Sequence, residues 1–262
     1  MFRFTREITG VSPETILNIG NFKITNSTLL SVFILLLMLT FCYFIIRRYK
    51  IKPTKGQTIV EIIFEAILDF ITQITGSKKY ALKIFPLVAT VFVYIGISNL
   101  ISLIPGLTSI QFNGISIFRS PTTDFNTTFG LALGSVILLQ IVSMQDFGFW
   151  GHLGKFFKFK ELYLGFKKGL GAGFMAIIDF LIGLLDIVGE IAKLVSLSLR
   201  LFGNMYAGEV LAILILGAFA YFLPIVWSAM SILSGVVQSL VFGSLITAYY
   251  MLAIKPVESE DE

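Results

Sequence analysis

Cysteine, histidine and charge are what this sequence has least of. Its 262 residues hold one cysteine, Cys42, and one histidine, His152. A single cysteine excludes a disulfide framework within the chain. Together with a single histidine it also excludes the Cys/His clusters that hold zinc and the paired histidines that hold haem. No cofactor and no metal are expected. Charged residues make up only 14% of the chain, against 56% hydrophobic and 14% aromatic. A soluble chain of this length needs charge over most of its surface, so the shortage excludes an ordinary soluble enzyme. Proline is scarce as well, and none occurs from 173 to 223.

What the chain has instead is long uncharged runs, at 24–46, 84–118, 125–145 and 210–254. Each can cross the ~30 Å hydrocarbon core of a bilayer. The chain therefore reads as an all-α integral membrane protein with a single domain over 1–262. MFRFTREITGVSPET at the start carries Glu7 and Glu14 and has no apolar core before Leu29, so no cleavable signal or transit peptide is expected. A first span at 28–46 is followed by RRYKIKPTK, with five basic residues and no acid. That run places this end in the cytoplasm and the N-terminus outside. In GQTIVEIIFEAILDFITQIT, Glu61, Glu65 and Asp69 recur every four residues as one stripe on a helix. Three acids are unfavourable in a span, so 57–75 is expected to be an amphipathic helix in the interface.

Spans at 84–104 and 126–145 form a helical hairpin. The first stops at Pro105-Gly106, and Asp124 in SPTTDFNTTFG is suited to cap the second. The segment DFGFWGHLGKFFKFKELYLGFKKG has five lysines against two acids and is cytoplasmic again. The net charge of +4 follows from such runs beside apolar helices, where orientation signals sit, and does not point to nucleic acid.

The proline-free stretch reads as a helix over 173–223, followed by another over 224–254 with Pro224 at its first turn. Some fifty residues at 1.5 Å each make a rod of about 75 Å. Such a helix either breaks at Gly183, Gly189, Gly203 or Gly208, or lies at about 65° to the membrane normal. Ser231, Gly235, Ser239 and Gly243 recur every four residues, a small-residue stripe expected to let the long helix approach. Counted from Pro224, Arg200 and Gln238 would be misaligned by about 15 Å. The first helix is therefore expected to bend or to end between Gly217 and Leu223, bringing those two side chains close.

Charge on the long helix is patterned. Asp179, Asp186, Lys193 and Arg200 are spaced by sevens, nearly one stripe with a drift of ~20° per heptad, and Glu190 lies beside it. Glu209, nine residues past Arg200, points about half a turn away and lies roughly 13 Å further along. Carboxylates in apolar surroundings are candidates for a proton relay, whereas arginine keeps its charge and passes no proton. Ion pairing among Asp186, Glu190 and Lys193 is an equally good reading of that group. Arg200 has no acid at its i±3 or i±4 positions, so its partner must come from elsewhere, another chain included.

The run SLSLRLFGNMYAGE closely resembles subunit a of F-type ATP synthases. ITNSTLL, FPLVATVFVYIGISNLISLIPG, PTTDFNTTFGLALG and the last helix with Gln238 extend the likeness over nearly the whole chain. The resemblance implies a stator subunit with two proton half-channels that drives a c-subunit ring, held by a b-subunit peripheral stalk. On its own such a chain carries no catalytic chemistry. Two long, strongly tilted helices would pack against the ring. Arg200 matches the family's essential arginine facing the ring carboxylate. Asn204, Glu209 and Gln238 match polar residues of the outer half-channel, and Asn99 a residue beside it. Asp186 and Ser196 match positions of the inner half-channel, with Glu190 next to them. The chain departs from the family at Ser231, where many relatives have histidine, at Ser102, where some have a carboxylate, and at Leu194, where a proline is common. Glu190 is an addition.

The resemblance further implies a multi-pass protein of the bacterial plasma membrane, or of an energy-organelle inner membrane, with its C-terminus in the cytoplasm. The alternatives are a membrane subunit of another proton pump, which would carry Lys and Glu on several spans, and a secondary ion transporter, which would show inverted repeats. Here the charges gather on one helix and no second half resembles the Arg200 region.

Overall fold

In the computed structural model of the chain the described residues are 13–19, 22–102, 111–112, 115–156, 164, 167, 170–218 and 223–254. The expectations for the N-terminal segment, for the Pro105-Gly106 stop and for most of the basic segment after 156 lie outside them.

Among the described residues six helices carry the fold. Helix α1 (Asn26–Arg48) starts where Thr25 Oγ1 accepts the Thr28 amide, and its last turn holds Arg47 and Arg48 over the rings of Tyr43 and Phe44. Leu30 and Ile34 are buried near its start, while most of its later apolar residues are exposed. This is the surface of a helix meant for lipid, in contact with the bundle at one end. Helix α2 (Lys55–Thr75) turns tightly into α3 (Lys78–Ser102) through Gly76, whose φ of 69° suits glycine and whose amide bonds to the Thr72 carbonyl. Helix α4 (Phe125–Phe156) is kinked at Gly148, where φ is 71°. Helices α5 (Leu170–Ala218) and α6 (Leu223–Ile254) complete the set. Four helices, α1, α3, α4 and α6, are long and apolar enough to cross a membrane by length and composition. Two small antiparallel hairpins accompany them. One pairs β1 (Thr15–Ile19) with β2 (Phe22–Thr25), the other β3 (Gln111–Phe112) with β4 (Ile115–Ser116).

The α4–α5, α3–α6 and α5–α6 pairs pack antiparallel. Helix α4 runs along α5, from the Phe125–Phe202 ring contact to Gln140 beside Glu190. Helix α3 runs along α6, from Asn99 against Gly235 to Val88 against Gly243. Ile71, Ile95, Leu139, Leu197, Leu201 and Phe242 meet in one core drawn from five helices. Asp124 caps α4 through the Asn126 amide and also accepts a 2.5 Å bond from Ser27 Oγ, tying α1 to α4. Around it Arg119, Ser120, Thr122 and Thr123 are all buried.

One detail differs from the sequence reading. Gly235, Ser239 and Gly243 face α3 rather than the long helix. A Cβ on Gly235 would lie 3.1 Å from Asn99 Cβ, and one on Gly243 would lie 3.3 Å from Val88. The small residues are needed where α3 presses closest. The long helix is unbroken at its glycines. Its 49 residues, Leu170–Ala218, rise about 74 Å at 1.5 Å each.

Candidate functional site

The long helix presents two faces. Leu197, Ser198 and Leu201 are buried against the bundle, and Leu199 and Arg200 are exposed. At 100° per residue Leu199 stands about 155° and Arg200 about 105° from the centre of that buried face, so both turn away from the bundle. Among the described residues Arg200 has no ion-pair partner. A guanidinium at the centre of a spanning helix is unfavourable by about 2.5–3.5 kcal/mol on insertion scales.

One turn beyond Arg200, Asn204 bridges α5 to α6. Its Nδ2 lies 3.1 Å from Ser234 Oγ and 3.3 Å from Gln238 Oε1. Gln238 is buried, and its Nε2 has no hydrogen-bond partner among the described residues; Ser198 Oγ is in the same condition. Buried donors of this kind are normally satisfied by ordered water. Gly235, three residues before Gln238, accepts a 3.0 Å bond from Asn99 Nδ2, so Asn99 of α3 adjoins the same place. Further along α5, Glu209 is half-buried, next to Gly208, whose carbonyl accepts from Trp227 Nε1. The sequence reading set Gln238 beside Arg200, but its contact is with Asn204. Lys193 meets Tyr249 and Asn204 meets Gln238, the same antiparallel offset of α5 against α6.

On the other side of Arg200, Ser196 is half-buried one turn away and Asp186 is exposed. Glu190 sits in a junction of three helices. Its Oε1 pairs with Lys193 Nζ at 2.6 Å and its Oε2 accepts from Gln140 Nε2 at 2.8 Å. Lys193 Nζ also lies 5.3 Å from the centroid of the Tyr249 ring. Thus Asn204 is joined to Gln238, Asn99 to Gly235 one turn before Gln238, and Glu190 to Lys193, and no bond links Asp186 or Ser196 to any of these among the described residues. Sequence reasoning missed Ser234, Gln140 and Tyr249. Gln140 carried a signal, an amide set in the apolar run VILLQIV.

Comparison with known proteins adds the following. A family model described as "ATP synthase A chain" matches residues 28–251. The "ATP synthase subunit a" of Desulforamulus reducens is 33% identical over 81% of this chain and 73% of its own length. That of Moorella thermoacetica is 28% identical over 92% of this chain and 96% of its own. The "ATP synthase subunit a, sodium ion specific" of Propionigenium modestum is 31% identical over 90% of this chain and 76% of its own.

Proposed function

The chain belongs to the ATP synthase A chain family, and from that premise we propose that it is the stator subunit a of a rotary F-type ATP synthase in a bacterial plasma membrane, conducting protons to and from the carboxylate of a c-subunit ring. The observation that carries this reading is Arg200, exposed on α5 without an acidic partner among the described residues. Flanking it, Leu185, Val188, Ile191 and Leu199 offer an exposed apolar surface to the ring. A b-subunit stalk holds the stator.

A proton enters from outside past Glu209, then the exposed amide of Asn204 and the buried amide of Gln238, with Asn99 behind them. It neutralises the ring carboxylate, which then turns into lipid. After nearly a full turn the site reaches the inner path of Ser196 and Asp186, beside which Glu190 lies, and ionises. Arg200 favours the ionised carboxylate only at the interface and blocks direct passage between the two routes. Each charge moved gains about 2.3 kcal/mol per 100 mV of membrane potential. Helices α5 and α6 lie as a strongly tilted pair, because about 74 Å of α5 exceeds the ~30 Å core.

The test is ATP synthesis by membrane vesicles carrying Arg200→Ala or Arg200→Lys. Both variants are expected to assemble with the ring and to lose coupled synthesis, since an ammonium lacks the planar fork. Wild-type synthesis in Arg200→Ala vesicles overturns the reading. Flux carried by Na⁺ and not H⁺ would reassign the ion and leave the route.

A further inference from the structure

Seven residues before Arg200, on nearly the same stripe of α5, stands a second cation, Lys193. It lies about 10 Å along the helix from Arg200, on the side leading to Asp186. An uncompensated ammonium there would repel the cation that the inner path conducts. Glu190 removes that repulsion. Its carboxylate holds Lys193 Nζ at 2.6 Å and is itself held by Gln140 Nε2 at 2.8 Å, and the ammonium lies 5.3 Å from the centroid of the Tyr249 ring. The side chains of Lys193 and Glu190 are 23% and 21% exposed, so water screens the pair only in part.

We propose that Glu190 is a positioning residue of the inner half-path: it neutralises Lys193 and holds it against α6, so that Arg200 is the one cation of α5 that acts on the passing ion. The proposal rests on the translocation reading of Arg200. It differs from a relay role, in which Glu190 itself takes up and releases the proton, and from a purely structural tie. Removing one member of a buried pair leaves a stranded charge, whereas removing both leaves none.

Passive proton flux through the assembled membrane sector in everted vesicles distinguishes the three, normalised to the ring that co-purifies with the full-length chain. Glu190→Gln keeps the bond to Gln140 and strands Lys193, and is expected to lower flux roughly tenfold. Adding Lys193→Met is expected to bring flux back to within about twofold of wild type. Swapping the groups, Gln140→Glu with Glu190→Gln, returns a carboxylate to Lys193 from α4 and is expected to rescue both flux and assembly, including where Glu190→Gln alone assembles poorly. A Glu190→Gln/Lys193→Met double variant as slow as Glu190→Gln overturns the proposal in favour of a relay or a structural tie, and wild-type flux in Glu190→Gln overturns it outright. Arg200→Ala vesicles run alongside report separately on the parent reading.

Discussion

Arg200 and Glu209 are nine residues apart on one helix and face different surroundings. Arg200 is exposed and Glu209 is half-buried near the α5–α6 contact at Trp227. If Glu209 passes protons, its titrating oxygen matters more than its shape. Glu209→Gln keeps size and hydrogen bonding and cannot titrate, so it is expected to slow proton entry from outside by about tenfold or more. The amount of assembled ring complex should stay near wild type. Stopped-flow acidification of vesicles of known orientation measures the rate. Unchanged entry would make Glu209 a packing residue.

At the level of elements, α3 approaches α6 closely at Gly235 and Gly243, and this contact holds Asn99 in place. Gly235 leaves little room for a larger residue, because its Cβ would stand 3.1 Å from Asn99 Cβ, part of a buried side chain. Gly235→Val should therefore separate the helices, break the Asn99–Gly235 bond and destabilise the chain by about 1–3 kcal/mol. Gly134 lies on α4 with nothing within 4 Å of its would-be Cβ. Gly134→Ala should be neutral or stabilising, by up to about 1 kcal/mol, since a helical glycine is being replaced. Thermal unfolding of the purified membrane sector compares the two. Equal effects would mean that the helix contact does not set the stability.

Across the whole molecule, the basic end of α1 at Arg47 and Arg48 stands opposite the end where Ser27 bonds Asp124. The positive-inside rule assigns these ends to the cytoplasm and the outside. A cysteine at Lys50 in a Cys42→Ser background should react with an impermeant thiol reagent in everted vesicles. One at Glu14 should react only in right-side-out ones. The reverse pattern would invert the assignment of inner and outer paths, exchanging the roles proposed for Asp186 and Glu209.

What the sequence by itself determined is the membrane, the helices and the charge stripe. Bilayer thickness and the 3.6-residue period act on local runs of residues, and those are visible one after another along the chain. The unbroken α5 was legible for the same reason, as a long stretch without proline, and so was Arg200, since a cation with no acid within one turn needs no fold to be noticed. Only the tertiary structure decided which helix the small-residue stripe serves. Four-residue spacing marks a face and carries no information about its neighbour, and the neighbour of Gly235 and Gly243 is α3. It also set Gln238 against Asn204 and joined Gln140, Glu190, Lys193 and Tyr249. Apart from the local Glu190–Lys193 pair, these contacts join residues distant in sequence. They depend on the register at which α4 and α6 pack against α5, which is set by side-chain fit across the core.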